Sequence, residues 1–309
     1  MAATQLKRAP AGPSPAYVLF CAVATLYVGC LFFGSVRLQT LYSEYWTDPQ
    51  SFQDGTASRT LGPWSAPLDD VFIHFDFARS AARGRPFEWS YGNGYSSGGT
   101  SLVYPFVLAA GYRLGLTGLD LMEWAAMVAC VSVFVLLLQT RHAFRGLPPW
   151  AEYLAPPALL GVGALSWALF SGMEIALFLA FWGAAFAVWD RIDRGHDDPV
   201  RIVVARAALL GVAGAALVAT RPEGAASTAF SLRRRGPRLW LSVFALSVAP
   251  CAVVVVGQAL LNFHLTGEAA AAGAIAKLEL YHPYLTAHEK FDRWLFYLCL
   301  LYTSPSPRD

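Results

Sequence analysis

The stretch that decides the fold is AYVLFCAVATLYVGCLFFGSVRL, residues 16–38, an almost unbroken apolar run. About 20 consecutive apolar residues suffice to cross a bilayer as an α-helix. Lys7 and Arg8 precede the run, which is longer than the apolar part of a cleavable signal peptide. We therefore expect an uncleaved first transmembrane helix, with residues 1–15 as a cytoplasmic tail.

The composition extends this expectation to the whole chain. Of 309 residues, 56% are hydrophobic and 14% are charged, and the mean hydropathy is +0.43. Such values are typical of a polytopic membrane protein. The net charge of +2 comes without a clustered basic face, so we expect no nucleic-acid partner. All five cysteines lie in apolar runs, where we interpret them as buried hydrophobes rather than disulfides or metal ligands.

Further apolar segments predict an all-α fold, a polytopic transmembrane helical bundle. The expected spans are about 120–140, 152–170, 173–189, 203–220, 222–232, 239–262 and one from about 291. The segment 101–117 contains Pro105, Gly111 and Arg113, and we expect it to lie along the interface instead. The pair 203–220 and 222–232 is predicted to form a hairpin with TRPEG, 220–224, at its tip.

Arginine and lysine flanks set the orientation, because cytoplasmic loops carry an excess of positive charge. Alternating spans place four basic groups on the cytoplasmic side: Lys7/Arg8, Arg141/Arg145, Arg191/Arg194/Arg201 and Arg233/Arg234/Arg235/Arg238. Arg37, at the other end of the first span, is a minor exception. The extracytoplasmic side then receives the long polar stretch 39–100, SGME at 171–174, TRPEG, and the loop 262–284. Four polar features distant in sequence are thus predicted to share one face of the membrane.

Asp69 and Asp70 open a helix-like stretch in the long polar loop. Helix capping explains one aspartate, since aspartate is favoured at an N-cap. Two adjacent carboxylates near a low-dielectric surface also suit a general base, because like charges raise one pKa. We expect Asp70 to cap the helix and Asp69 to face a cavity.

Other charged residues at membrane depth have two interpretations each. Glu174 stands either at a tight turn or in a polar cavity, because a membrane carboxylate is costly. Arg221 either pairs with Glu223 or clamps a phosphate with its planar fork. Lys277 either snorkels or neutralises a lipid phosphate. His282, and His288 with Glu289, have loose metal spacing, and we interpret the histidines as loop residues.

The last eleven residues, CLLYTSPSPRD, resemble the translation of a sequencing-library adapter. On that interpretation residues 299–309 are foreign and the chain is an N-terminal fragment ending near Leu298. The alternative is a short polar tail rich in proline and serine.

The motifs together resemble those of the GT-C superfamily of polytopic membrane glycosyltransferases, in particular a bacterial arabinofuranosyl- and mannosyltransferase-like group. The resemblance is carried by DDVFIHFDFARSAARGRPFEWS and GYSSGGTSLVYPF within 69–106, SGMEIALF at 171–178, TRPEG, and NFHLTGE to AK within 262–277. It covers about residues 16–290. GGTSLVYP lacks the usual proline after Thr-Ser, and no Pro-Asn-Thr precedes Lys277.

The resemblance implies a GT-C bundle, 16–298, with one long extracytoplasmic loop carrying amphipathic helices. It implies inverting transfer of a sugar from a polyprenyl-phosphate donor to a glycan, lipid or protein acceptor outside a bacterial plasma membrane. By position, Asp69 would be the general base, and Asp70 would orient the acceptor or help bind the sugar. The implied substrate-binding residues are Glu174, Arg221, Glu223, Glu268 and Lys277. It implies no cofactor and leaves a divalent metal open.

The alternative class is a transporter that uses Arg221 and Glu223 in its substrate path. Transporters commonly show an internal repeat and broken helices in both halves. The sequence shows one break and no repeat, which favours the enzyme.

Overall fold

The computed structural model describes residues 12–47, 64–144, 147–195, 198–227, 237–272 and 285–302. Within these ranges the chain forms α-helices and two short 3-10 helices, Gly118–Asp120 and Pro149–Leu154, and no strand beyond an isolated bridge between Glu88 and Tyr95. The α-helices are α1 (Pro15–Thr47), α2 (Asp70–Ala82), α3 (Tyr104–Arg113), α4 (Leu121–Thr140), α5 (Ala155–Leu160), α6 (Gly163–Phe170), α7 (Ile175–Arg194), α8 (Val200–Thr220), α9 (Gly224–Ser227), α10 (Pro237–Thr266) and α11 (Ala287–Tyr302).

Five helical segments in the described part of the chain are long and apolar enough to cross a membrane. They are Pro15–Leu38, Gly118–Thr140, Ile175–Arg194, Val200–Thr220 and Leu241–Thr266. The predicted all-α class is confirmed, and the protein is an integral membrane protein by the length and composition of its helices. Helix α3 has 10 residues, too few to span, as its sequence predicted.

Contacts between helix termini define two ends of the bundle. Near the start of α1, the Tyr17 hydroxyl donates to the Leu137 carbonyl at 2.9 Å, close to the end of α4. His142, just beyond α4, lies 3.0 Å from Asp190 in the last turns of α7. We call this the basic end, since Arg141, Arg191, Arg194 and Arg201 are at or next to these termini.

The opposite end, which we call the loop end, holds α2, α3 and residues 171–174. Phe33 in the second half of α1 packs on Phe170, with ring centroids 5.8 Å apart. The Tyr104 hydroxyl at the start of α3 donates to the Gly172 carbonyl at 2.7 Å. Arg37 reaches this end too, and its guanidinium lies 5.2 Å from the centre of the Trp64 ring. This cation–π contact gives a physical reason why Arg37 is an exception to the charge pattern.

Helices α8 and α10 run side by side in the same direction. Val243, near the start of α10, packs in one apolar cluster with Val203 and Ala207, near the start of α8. Further along, a Cβ added to Gly211 would lie 2.2 Å from the Leu246 carbonyl oxygen. The start of α10 therefore lies at the basic end, beside the start of α8. Of the expected span at 222–232, the structure describes the short helix α9, and the part from residue 228 lies outside the described residues.

The expected single span at 152–170 is wrong in its geometry. The chain forms two helical pieces, Pro149–Leu160 and Gly163–Phe170, bent by 75°. Pro156 and Pro157 cannot donate backbone hydrogen bonds, and a break at Gly161–Val162 follows them. The Ser166 hydroxyl satisfies the Leu160 carbonyl left open by the break, at 2.5 Å.

This bent segment still leads from one end of the bundle to the other. Tyr153 packs against Tyr17 at the basic end, with ring centroids 5.4 Å apart, whereas Phe170 packs at the loop end.

Two other helices are longer than expected. Helix α1 continues beyond residue 38 to Thr47, and α11 starts at Ala287 and continues past Leu298 to Tyr302. Residues 303–309, the rest of the adapter-like tail, lie outside the described residues.

Candidate functional site

The structure places Asp69, and not Asp70, at the N-cap of α2. Asp69 is the N-cap of α2, and its Oδ1 accepts the backbone N–H of Asp70 at 2.9 Å. Asp70 lies in the first turn and is partly buried, whereas Asp69 is exposed. The expectation that Asp70 caps the helix is therefore wrong. The reason is that the helix starts at Asp70, one residue earlier than that expectation requires, so the first orphan N–H group, that of Asp70, faces the Asp69 carboxylate.

One turn after Asp70, the His74 side chain points from α2 into the bundle. Its side chain is 2% exposed, and its Nε2 lies 2.9 Å from Glu174 Oε2. The ring stands nearly perpendicular to that of Tyr104, with centroids 5.3 Å apart. Among the described residues, His74 Nδ1 has no hydrogen-bond partner. Residues four apart share a helix face, so Asp70 and His74 lie on the same side of α2.

Glu174 is positioned by the turn between α6 and α7. Gly172 adopts φ +89°, a conformation that favours glycine, and a Cβ there would lie 2.8 Å from Met122 Sδ and 3.3 Å from Val71 Cγ1. The turn therefore packs directly against the first turn of α2. It delivers Glu174, with 0% exposure, into the protein beside His74.

Arg221 approaches the same carboxylate from the end of α8. The helix stops at Thr220, and Arg221 is extended, with φ −149° and ψ 128°, just before Pro222. Its Nη1 donates to Glu174 Oε1 at 3.0 Å, and its Nη2 donates to Glu223 Oε1 at 3.2 Å. The expected internal pair of Arg221 with Glu223 is thus present, joined by a partner the sequence did not indicate.

The loop before α3 closes this site. The backbone N–H of Leu102 donates to the Ala219 carbonyl at 2.8 Å, which ties the loop to the last turn of α8. Next to it, the Thr100 hydroxyl lies 3.4 Å from Glu174 Oε1 and 3.5 Å from His74 Nε2. We call His74, Thr100, Glu174, Arg221 and Glu223 the Glu174 cluster.

Electrostatics keep the buried carboxylate charged. Burial alone would raise the pKa of Glu174, but the hydrogen bond and charge of His74, a backbone hydrogen bond and the charge of Arg221 together hold the pKa below its ordinary 4.5. Burial, and the nearby Glu174 charge, raise the pKa of the Tyr104 hydroxyl, which stays protonated and donates to Gly172. Glu174, Arg221 and Glu223 by themselves sum to one negative charge.

The other predicted substrate-binding residues are not in this cluster. Glu268 is exposed in the turn after α10. Lys277 and His282 lie outside the described residues. The start of the loop 262–284 does reach the long polar loop: the Tyr95 hydroxyl donates to Asn262 Oδ1 at 2.5 Å, and the Ala272 N–H donates to Ser97 Oγ at 3.1 Å.

Metal-binding geometry does not occur in the part of the chain that the structure describes. No group of three or more histidine, cysteine, aspartate or glutamate side chains there is arranged to hold an ion. His288 was expected to be a loop residue, but it lies in helix α11, largely exposed and 3.5 Å from Asp292.

A groove opens beside the Glu174 cluster, between α2, the loop 95–102, α3 and α10. Its free volume is about 20 Å³, room for about one water molecule. Phe87 forms one wall with φ +62°, the single positive value among the described residues other than glycine. Gln258 and Asn262, one turn apart on α10, line the opposite side.

Sequence reasoning missed His74, Thr100 and the Tyr95–Asn262 contact. For His74 a signal existed, because it follows Asp70 by four residues on one helix face. For Thr100, Tyr95 and Asn262 no local pattern exists, since their partners are distant in sequence. No known protein family, curated protein or solved structure matches this chain.

Proposed function

We propose that this chain belongs to a membrane glycosyltransferase of the GT-C type. It moves a sugar from a polyprenyl-phosphate donor to an acceptor hydroxyl outside a bacterial plasma membrane, with inversion. The observation that carries the proposal is the Glu174–Arg221 ion pair, 3.0 Å long, at the loop end beside α2 and its two aspartates. Charged groups from three distant segments meet there in an otherwise apolar bundle, and such groups mark functional sites in membranes.

The chemistry assigned to these residues is a single displacement. Asp69 takes the proton of the acceptor hydroxyl, the acceptor oxygen forms a bond to the anomeric carbon, and the bond from that carbon to the phosphate oxygen breaks. The electron pair leaves with the polyprenyl phosphate, whose charge Arg221 stabilises. Asp69 suits the base because its side chain is exposed and only Oδ1 accepts the helix N–H.

The local charge implies a second cation at the phosphate. Glu174, Arg221 and Glu223 together carry one negative charge, and Arg221 already donates to two carboxylates. Guanidinium has five N–H groups, so three remain to bind phosphate oxygens. We assign this role to Lys277, which lies outside the described residues.

A transporter is supported less well by the same geometry. Arg221 and Glu223 follow the end of α8 rather than its middle. In the described residues the break at 161–162 is the one bent span, without a counterpart in a second half.

The proposal is tested by replacing Asp69 and a matched carboxylate on the same helix. Asp69→Asn should lower transfer of labelled sugar from polyprenyl phosphate at least about 100-fold, the usual contribution of a general base. Asp76→Asn, which removes a half-exposed carboxylate paired with Arg79, should leave transfer unchanged. Transfer by Asp69→Asn at the wild-type rate would remove Asp69 as the base.

A further inference from the structure

His74 is buried in a way that its packing alone does not explain. Its side chain is 2% exposed, and its ring meets that of Tyr104 nearly edge to face, with 5.3 Å between centroids. A phenylalanine or leucine side chain would also fill this space. Histidine instead leaves Nδ1 without a hydrogen-bond partner among the described residues. A buried polar atom without a partner is costly, so the other ring nitrogen is the part of His74 that calls for a function.

That second nitrogen faces the buried carboxylate of Glu174. His74 Nε2 lies 2.9 Å from Glu174 Oε2, and the glutamate side chain is 0% exposed. Because an ionised carboxylate has no proton to give, Nε2 carries the N–H in this contact. The second carboxylate oxygen, Oε1, accepts from Arg221 Nη1 at 3.0 Å. The carboxylate is thus held from two sides, by a ring on α2 and by the guanidinium that follows α8.

This arrangement fixes the direction of the Glu174 carboxylate. The terminal torsion of a glutamate side chain has broad minima, so contacts at Oε1 alone would leave the group free to turn. His74 at Oε2 removes that freedom and determines where Oε1 meets Arg221. The guanidinium donates one N–H to Glu174 and one to Glu223, and the arginine side chain is 28% exposed. The direction of its three remaining N–H groups is then set by His74 through Glu174.

The same contact links the two parts of the proposed reaction. Asp69, the proposed base, caps the helix that carries His74. Arg221, the proposed phosphate ligand, follows the end of α8 and is joined to that helix through Glu174 and His74. A displacement of about 1 Å at a reacting group can lower a rate about 100-fold. Loss of the contact between His74 and Glu174 should therefore lower transfer, although His74 takes no part in the bonds that form and break.

We propose that His74 is a positioning residue, which through Glu174 orients Arg221 toward the donor phosphate. The consequence for transfer rests on the proposed function, whereas the effect on Arg221 is measurable without any substrate. The N–H donor at Nε2 is the property that matters for this role. The alternative is a ring that only packs against Tyr104.

Two substitutions separate the donor from the ring. His74→Phe keeps a ring and removes the donor, whereas His74→Gln removes the ring and keeps an amide N–H near the position of Nε2. In proteoliposomes with a labelled polyprenyl-phosphate sugar and acceptor, His74→Phe should lower transfer at least about tenfold, and His74→Gln should retain most of the wild-type rate. His74→Leu, which also lacks a donor, replaces His74→Phe if the larger ring prevents folding.

The control is His288→Phe, the same change at a largely exposed histidine of α11, which should transfer at the wild-type rate. Wild-type transfer by His74→Phe would overturn the positioning role. A loss in His74→Gln as large as in His74→Phe would also overturn it, because packing of the ring would then be the property that matters.

A second measurement reports on Arg221 itself. Phenylglyoxal modifies arginine guanidinium groups, and mass spectrometry locates the modified residues in the full chain in lipid nanodiscs. Arg221 should react several-fold faster in His74→Phe than in the wild type or His74→Gln, because a carboxylate that turns freely no longer holds Nη1. Arg201, exposed at the basic end, is the internal reference and should react equally in all three. An unchanged rate at Arg221 would overturn the positioning role.

The two proposals fail in different ways. Absence of transfer by the wild type, together with faster modification of Arg221 in His74→Phe, removes the enzyme and keeps the positioning role. Transfer by the wild type that His74→Phe leaves unchanged removes the positioning role and keeps the enzyme.

Discussion

At the scale of single residues, Glu174 and Arg221 are unequal members of one ion pair. Glu174 is completely buried, whereas the Arg221 side chain is 28% exposed and has a second partner in Glu223. Removing Arg221 therefore leaves the buried Glu174 carboxylate without this counter-ion and without solvent. Removing the Glu174 carboxylate leaves the Arg221 guanidinium, which still contacts solvent and Glu223. The free-energy cost of the two changes should differ for this reason.

This inequality predicts the outcome of a double-mutant cycle. Arg221→Met should destabilise the folded protein by about 3–5 kcal/mol, the usual cost of leaving a buried charge uncompensated. Glu174→Gln should cost about 1–3 kcal/mol, and the double variant should be more stable than Arg221→Met alone. Thermal unfolding of the detergent-purified variants measures this order. Equal losses from the two single changes would contradict the buried pair.

The same carboxylate predicts how stability depends on pH. The pKa of Glu174 is lower in the folded protein than its ordinary 4.5, so the unfolded chain takes up the proton first on acidification. The stability that the charged carboxylate contributes is then complete above about pH 5 and is lost as the pH falls through the folded pKa. Unfolding curves at pH 3–8 should show wild type and Glu174→Gln converging at acidic pH. A constant difference over that range would show that Glu174 is not ionised in the folded state.

The sequence indicated several individual residues of the candidate site, but it did not indicate which of them contact one another. A carboxylate at a turn between apolar runs, as in SGME, signals Glu174 without any structure, and Arg221 next to Pro222 signals the end of a helix. Their mutual contact depends on how α7 and α8 pack, which no local pattern encodes. The capping of α2 by Asp69 rather than Asp70 depends on a shift of one residue in the helix start, and such boundaries are the least predictable feature of a sequence.

At the scale of elements, the contact between α8 and α10 depends on a glycine. Gly211 lies so close to α10 that an added Cβ would approach the Leu246 carbonyl oxygen to 2.2 Å and Pro250 Cγ to 2.9 Å. Small residues allow such close approach of membrane helices, where packing rather than the hydrophobic effect holds helices together.

This close approach predicts opposite effects of the same substitution at two glycines. Gly211→Ala should separate the helices and destabilise the protein by about 1–3 kcal/mol. Gly257→Ala, in α10 with open space around it, should be neutral or stabilise by about 0.4–1 kcal/mol. Thermal unfolding of the two variants, measured together, makes the comparison. A loss of stability in Gly257→Ala as large as in Gly211→Ala would show that general helix effects, not the contact, decide.

The elements themselves were largely predictable, with one exception. Long apolar runs predicted the helices at 120–140 and 203–220, and α3 was correctly expected to be too short to span. The bend of 75° within 149–170 was not expected, although Pro156, Pro157 and Gly161 are its physical cause. Prolines near the start of a helix are tolerated, so their presence alone does not decide between a kink and a break.

At the scale of the whole molecule, the contacts of helix termini give the bundle a basic end and a loop end. The alternation of spans along the sequence predicted this arrangement. The structure brings Glu174, Arg221 and Asn262 to the loop end, far along the chain from one another. Since arginines favour the cytoplasm, we expect the loop end to face the outside of the membrane.

Labelling from one side of the membrane checks that assignment. With the five native cysteines replaced by alanine, Tyr91→Cys at the loop end should react with an impermeant maleimide in intact cells, because Tyr91 is 80% exposed. Val200→Cys, 61% exposed at the start of α8, should react only after permeabilisation. The reverse pattern would place the candidate site in the cytoplasm.

If the loop end transfers sugar from a lipid phosphate held by Arg221, replacing this arginine must lower the transfer rate. The transfer rates of two arginine variants measure this most directly. Proteoliposomes with a labelled polyprenyl-phosphate sugar and acceptor are compared for wild type, Arg221→Met and Arg201→Met, each confirmed as folded. Transfer should fall at least about 100-fold in Arg221→Met, as when one stabilising donor of a developing negative charge is lost, and remain normal in Arg201→Met at the basic end. A folded Arg221→Met protein that transfers sugar at the wild-type rate would contradict the account.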